Sequence, residues 1–249
     1  MKLSGKTVVV TGGSGGIGLA LARRFLVRDN TVIICSRGEE KLERVAAENP
    51  GLIPYLCNVA DAGQREEFAH WVMEHYPMAN VLVNNAGIQN RYAIGDASWE
   101  WDRMEEELAI NLLAPIHLSH LFIPHLKGKE HAAIVNVSSD LAFNLPSRMP
   151  VYGATKAGLH AFSFTMGLQL STFGVEVIEV LPTATNTDLG GTGVHTFGVD
   201  VDEFADAVFL DLEAGKKEIG FLDNLALSHR PRVEIEERAR ASFERSLKE

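Results

Sequence analysis

The chain has 249 residues, of which 46% are hydrophobic and 22% charged, with 22 Gly and 9 Pro. Such proportions exclude a long disordered chain, a collagen-like repeat and a disulfide scaffold, and leave an ordinary globular protein. The formal net charge of −10 (33 acidic against 23 basic residues) repels phosphate backbones and anionic lipid, so neither a nucleic-acid nor a membrane partner is expected, although a local basic pocket for one phosphate stays open.

Met1-Lys2-Leu3-Ser4-Gly5-Lys6 runs straight into an apolar segment and carries no signal-peptide pattern. Strands are predicted at Thr7–Val10, Thr31–Cys35, Leu52–Leu56, Val81–Val83, Ala132–Val137, Val175–Val180 and Glu218–Phe221. The first six are continuous apolar runs, the pattern of strands buried on both faces. Between them the periodicity predicts helices at Ile17–Arg28, Glu39–Glu48, Gln64–Tyr76, Trp99–Leu126, Val151–Phe173 and Val201–Glu213. Strand alternating with helix means βαβ units, and hence an α/β fold: one doubly wound, Rossmann-like parallel sheet of about seven strands with helices on both faces. No internal boundary interrupts it, so 1–249 reads as a single domain with its core over about 4–221. The tail, 225–249, breaks at Arg230-Pro231-Arg232 and then mixes charges with Ile235, Phe243 and Leu247. It reads either as a solvated terminal helix or as a subunit contact. No apolar run approaches the ~20 residues of a membrane-crossing helix. Cys35 and Cys57 lie in apolar segments and read as buried thiols in a reducing compartment, so a cytoplasmic protein is expected.

Thr11-Gly12-Gly13-Ser14-Gly15-Gly16-Ile17-Gly18 follows the first strand and opens the first helix. Glycines let the backbone turn sharply and approach a pyrophosphate without Cβ clashes, and the amides and dipole at the helix start stabilise its charge. Gly12, Ser14, Gly16, Ile17 and Gly18 are therefore candidate dinucleotide contacts; the alternative is a tight turn that holds nothing.

The spacing Thr-Gly-x-x-x-Gly-x-Gly resembles the short-chain dehydrogenase/reductase family. Further matches follow in that family's order: Asn84-Asn85-Ala86-Gly87 after the fourth strand, Asn111 within the long helix, Ser138-Ser139 closing the fifth strand, Tyr152-Gly153-Ala154-Thr155-Lys156 opening the next helix, and Pro182 to Thr187 after the sixth strand. The resemblance spans about residues 4–221.

Tyr152 and Lys156 are four residues apart and share a helix face. A free phenol titrates near ~10, and an adjacent ammonium favours the phenolate, so Lys156 is expected to lower the Tyr152 pKa. Tyr152 then serves as proton donor to a carbonyl, or as acceptor from an alcohol. By the resemblance, Lys156 also holds the nicotinamide ribose. Ser139, thirteen residues before Tyr152, stands where the family places its catalytic serine and stabilises the substrate oxygen; Ser138 is the competing choice, read as closing the strand. The resemblance makes Asn111 the fourth catalytic member, its backbone anchoring a proton path to Lys156; otherwise it is a helix-interior Asn bonded locally. It also implies that the segment of Asn84, Ala86 and Gly87 lines the adenine ribose and supports the sheet centre, and that Thr187, five residues after Pro182, bonds the nicotinamide carboxamide.

Some positions depart from the family pattern. Thr183 follows Pro182 where Gly is usual, Asn58-Val59 replaces Asp-Val beside the adenine, and Asp140-Leu141-Ala142 lacks the usual glycine. At the end of the second strand Cys35-Ser36-Arg37 carries no acid, so Ser36 and Arg37 favour a 2′-phosphate and NADP(H) is preferred, with NAD(H) possible. Against this, Arg37 pairs equally well with Glu39 or Glu40, and Gly15 lacks a basic side chain.

His117, His120 and His125 share one helix without an HExxH pattern, and His70 and His75 do not share a face, so no metal site is expected. Trp99 and Trp101 read as covers for a helix entry. The reading is an NADP(H)-dependent oxidoreductase acting on a small carbonyl or secondary-alcohol substrate, and the family resemblance implies a homodimer or homotetramer packed through Trp99–Leu126 and Val151–Phe173. The alternative is a catalytically silent dinucleotide-binding regulator. The substrate pocket is expected to draw on Phe143, Asn144, Arg148, Met149, Leu189, Val194 and His195.

Overall fold

A computed structural model describes residues 2–92, 100–191, 193–194, 196–221 and 225–246. Strands form at Thr7–Thr11 (β1), Thr31–Ser36 (β2), Leu52–Leu56 (β3), Ala79–Asn84 (β4), Ala133–Val137 (β5), Glu176–Leu181 (β6) and Glu218–Gly220 (β7). They make one sheet in the order β3-β2-β1-β4-β5-β6-β7, and every pairing is parallel. Helices fill the crossovers: Gly16–Leu26 (α1), Glu39–Glu48 (α2), Ala62–His75 (α3), Trp101–Leu108 (α4), Ala114–Leu126 (α5), Pro150–Leu170 (α6) and Val201–Glu213 (α7). The expected doubly wound α/β architecture is the one observed.

Side chains alternate across the sheet and feed two cores. Val8, Val10, Val32, Ile34, Val81 and Val83 pack on one face, against Phe25 of α1 and Phe204 and Phe209 of α7. Val9, Ile33, Leu82 and Ile134 pack on the other, against Phe68 of α3 and Leu118 and Phe122 of α5. Both layers are needed because each β1 residue is buried whichever way it points. β3 departs from the expectation of two-sided burial: it is an edge strand whose exposure alternates, and it tolerates Pro54 because one rim carries no ladder.

The long predicted helix is broken by a π-helical segment at Ala109–Leu113, between α4 and α5. The run Trp101–Leu126 nevertheless spans 26 residues and is long and apolar enough, by length and composition, to cross a membrane, contrary to the expectation from apolar runs alone. Here its apolar side, with Ile110, Ala114, Leu118, Phe122 and Leu126, lies buried against the sheet. A buried polar chain fixes its position. Asn84 Nδ2 donates to Asn136 Oδ1 (2.9 Å) and Ser119 Oγ (3.2 Å), and Asn136 Nδ2 donates to Ser163 Oγ (2.8 Å). β4, β5, α5 and α6 are thereby tied together at the centre of the fold, where such bonds are strongest.

After β7 come a short helix, Leu225–Ser228 (α8), and Arg232–Ser246 (α9). α9 carries i,i+4 ion pairs such as Arg232–Glu236 and leaves Val233 and Phe243 exposed, in keeping with the solvated-helix reading of the tail. Trp99, His195 and Leu247 lie outside the described residues. Trp101 is 65% exposed and covers little.

Candidate active site

In a parallel sheet all strand ends of one sense lie together, and β1 and β4 are neighbours whose crossovers leave in opposite directions. A crevice opens there. It is a cavity of about 610 Å3 walled by the segments that leave β1, β4, β5 and β6.

The glycine turn forms its floor. Gly12 has φ +67° and Gly16 φ +51°, a region open mainly to glycine. A Cβ on Gly12 would stand 2.9 Å from Ala86 Cα, and one on Gly18 2.3 Å from Asn85 Nδ2, so the turn is pressed against the segment after β4. Gly12, Ser14, Gly16 and Ile17 line the cavity, whereas Gly18 serves this packing instead. The turn exposes backbone at the start of α1, an eleven-residue helix without a side-chain cap, and so fits a pyrophosphate.

Asn84 is not on the cavity wall. Its amide points into the buried chain described above, which supports the sheet centre but not a ribose contact. The lining residue is Asn85, whose Nδ2 donates to Thr11 O at 2.9 Å. The doublet Asn84-Asn85 concealed which amide faces outward; the period of two at the strand end carries that signal. Ala86 and Gly87 line the cavity. Asn58 and Val59 do not: Asn58 Oδ1 accepts from Ala60 N in a local turn, and Val59 is packed into the core.

On the opposite wall Ser138, Ser139, Tyr152 and Lys156 come together. Ser138 Oγ donates back to Val180 O, the strand-closing role. Ser139 is hydrogen-bonded to Tyr152, and its hydroxyl also donates to Asp140 Oδ1 (3.3 Å) while accepting from Leu141 N (3.1 Å). Asp140, carried onto the wall by a 3₁₀ turn, is held up at about 6 by burial. Sequence reasoning noted Asp140 only for the glycine it replaces.

Tyr152 is buried, and that burial pushes its phenol well above the usual range. The Ser139 bond opposes the rise, and the charges of Asp140 and Glu107 add to it. The expected lowering by Lys156 is not what this geometry gives. Lys156 Nζ lies 5.5 Å from the Tyr152 ring centroid and donates to Val137 O at 2.9 Å. Burial in turn lowers Lys156 to about 8.

Asn111 sits behind this group, in the π-helical segment and off the cavity wall. Its Oδ1 accepts from Ile88 N (2.9 Å) and its Nδ2 donates to Ile88 O (2.8 Å), clamping the segment after β4. Gly87 fits between Asn111 and Lys156: a Cβ there would lie 3.4 Å from Asn111 Oδ1 and 3.8 Å from Lys156 Nζ.

Pro182, Thr183 and Thr187 line the remaining wall, and Thr187 Cγ2 lies 3.3 Å from where a Gly16 Cβ would be. Of the expected pocket residues, Asn144, Met149 and Leu189 line the cavity. Phe143 instead packs edge-on to His160 at 4.5 Å, Arg148 O accepts from Tyr92 N, and Val194 is not on the wall.

At the adenosine end Arg37 pairs with Glu106 of α4 rather than with Glu39 or Glu40. Ser36 Oγ is buried without a partner among the described residues. Lys41, unremarked in the sequence, reaches over the glycine turn, its Nζ 2.9 Å from the position of a Gly15 Cβ. Arg37 and Lys41 line the cavity, whereas Ser36, expected to face the cofactor, does not. His117 Nδ1 accepts from Arg65 Nε at 3.0 Å, so it is engaged in packing.

Residues 6–196 match the short chain dehydrogenase family. The chain is 44% identical over 224 residues to the "Uncharacterized oxidoreductase DltE" of Bacillus subtilis (strain 168), covering 88% of this chain and 89% of that one. A short chain dehydrogenase from Burkholderia cenocepacia J2315, in complex with NADP, superposes with a TM-score of 0.83 at 25% identity, over 96% of this chain and 99% of that one. A further enzyme from Burkholderia phymatum, in complex with NAD, gives 0.83 at 19% identity over 95% and 96%, a likeness of fold alone.

Proposed function

The chain belongs to the short chain dehydrogenase family, and from that premise we propose that this oxidoreductase interconverts a carbonyl and a secondary alcohol with NADP(H), using Tyr152 as the general acid and base. The carrying observation is the convergence of Ser139, Tyr152 and Lys156 on one cavity whose floor is the glycine turn. A dinucleotide held in this cavity would supply or accept the hydride. The rest is the work of this chain's own side chains.

In the reducing direction the buried Tyr152 is a phenol across the working pH range and so carries the proton that the carbonyl oxygen needs. The Ser139 hydroxyl supplies a second donor to that oxygen and stabilises the charge that develops on it. Lys156, one helical turn from Tyr152 on the same wall and donating to Val137 O, is the residue that would hold the nicotinamide ribose. Asn111 keeps the segment after β4 at the distance that lets Lys156 pass Gly87. Gly12, Ser14, Gly16 and Ile17 receive the pyrophosphate, Ala86 and Gly87 the adenine ribose, and Pro182 and Thr187 the nicotinamide.

The preference for NADP(H) over NAD(H) rests on Arg37 and Lys41, both on the cavity wall, with no carboxylate at the end of β2. The substrate is a small molecule, and Leu141, Asn144, Met149, Leu189 and Phe197 give its pocket a mixed character. Free, buried Cys35 and Cys57 support a cytoplasmic setting. A second copy is the partner proposed for the helices before and after β5, where Leu113, Phe164, Leu168 and Phe173 are exposed. The chain is read as a single dinucleotide-binding domain.

The test is a panel of ketones and aldehydes assayed by NADPH absorbance. The reading requires turnover of at least one of them, with kcat/KM for NADPH at least tenfold above that for NADH. Turnover with NADH alone would overturn the cofactor assignment.

A further inference from the structure

Further along α6, past Lys156, a second cavity of about 560 Å3 lies between that helix and the strands β6 and β7. His160, Glu179 and Glu218 converge in it. Each presents one ligand atom, and the three atoms lie within 4.8 Å of one another.

The sheet itself brings the carboxylates together. Glu179 on β6 and Glu218 on β7 are direct register partners in the parallel ladder, and like charges placed so are destabilising unless something lies between them. His160 enters from α6, one turn beyond Lys156, and its Nδ1 is 2.7 Å from Glu179 Oε2. Phe143 packs against the imidazole edge-on and limits its rotation. Lys217, the nearest cation in sequence, is engaged with Glu176 instead. Glu179 is only 6% exposed, yet its Oε1 has no hydrogen-bond partner among the described residues. An ionised carboxylate oxygen left bare at that depth is costly, and one imidazole satisfies only its neighbour.

We propose that His160, Glu179 and Glu218 form a binding site for one divalent transition-metal ion of the Zn2+ class. One nitrogen and two carboxylate oxygens suit a borderline ion, and a dication neutralises both carboxylates. At metal–ligand distances of about 2.0–2.2 Å the donors of a tetrahedral site stand roughly 3.4 Å apart. With all three atoms within 4.8 Å of one another, the widest pair closes by at most about 1.4 Å, and the 2.7 Å His160–Glu179 contact opens slightly to admit the ion. Water fills the fourth position from the cavity. The site pins α6 to β6 and the edge strand β7, and its role is to stabilise the fold along the Tyr152 helix.

The experiment uses the full chain after chelator treatment, titrated with Zn2+ against a chromophoric competitor and followed by thermal unfolding. The wild type takes up one Zn2+ per chain, and its Tm rises with Zn2+ concentration. Glu218→Gln, half-exposed and tolerant of the change, weakens binding at least tenfold and removes the Tm rise; His160→Gln does the same. His117→Ala, which removes a histidine on α5 outside the proposed site, changes neither readout. Three results would overturn the proposal: no stoichiometric uptake by folded wild type, unchanged affinity in Glu218→Gln, or loss of uptake in His117→Ala.

Discussion

Lys41 reaches from α2 back over the first turn of the fold, its Nζ 2.9 Å from the point where a Cβ on Gly15 would stand and 4.0 Å from Asp188 Oδ2. A basic side chain missing from the glycine turn is thus supplied from the next helix. Lys41→Glu and Arg37→Glu are each expected to weaken NADPH binding by about ten- to a hundredfold, the loss of one charge-assisted contact, and to leave NADH within about threefold. Glu106→Gln frees Arg37 from its ion pair and is expected to tighten NADPH severalfold. Dissociation constants from fluorescence titration check all three.

Asp140 governs where the Ser139 proton points. Ionised, it accepts that proton; protonated, it donates to Ser139 Oγ and leaves the serine hydroxyl for the substrate. With its pKa raised by burial to about 6, kcat/KM for reduction is expected to fall as pH rises through that value. Asp140→Asn, whose amide donates at every pH, flattens this limb. The sign for stability is the same. The folded state binds the extra proton between the unfolded pKa near ~3.9 and about 6, so this group's contribution is present at low pH and is lost as pH rises through that window. Rate profiles and urea titrations at matched pH values measure the two effects.

Lys156 works against the fold that holds it. Buried, with its pKa lowered to about 8, it binds a proton less readily than the unfolded chain does. Stability therefore rises with pH between about 8 and the unfolded value near ~10.4, and below that window the full penalty applies. Lys156→Met is expected to stabilise the protein at pH 7 by on the order of 1–3 kcal/mol while abolishing turnover, and the stability advantage shrinks above pH 10. Urea unfolding at pH 7 and pH 10.5 tests it.

Much of this was legible in the chain because backbone demands leave residue signatures. Gly12 and Gly16 sit at positive φ in a turn that other residues resist, and the apolar strand runs foretold a sheet with two covered faces. The Tyr152–Lys156 spacing placed both side chains on one wall of the cavity, with Ser139 bonded to Tyr152. What escaped were matters of direction and of distant partners. Which of Asn84 and Asn85 faces the crevice depends on the pleat at the strand end, a one-residue question. Lys41 over Gly15 and Glu106 on Arg37 are contacts between separate helices, invisible to local spacing. The ordinary reading of a Tyr beside a Lys gave the wrong sign for the Tyr152 pKa, because burial outweighs an ammonium that is turned toward Val137.

The central claim is that the Tyr152 hydroxyl moves the proton, and Tyr152→Phe measured two ways is its most direct test. The account predicts that NADPH binds within about threefold of wild type while the rate of carbonyl reduction drops by about 10²–10⁴. Turnover within tenfold of wild type, with binding intact, would contradict it and take Tyr152 out of the chemistry.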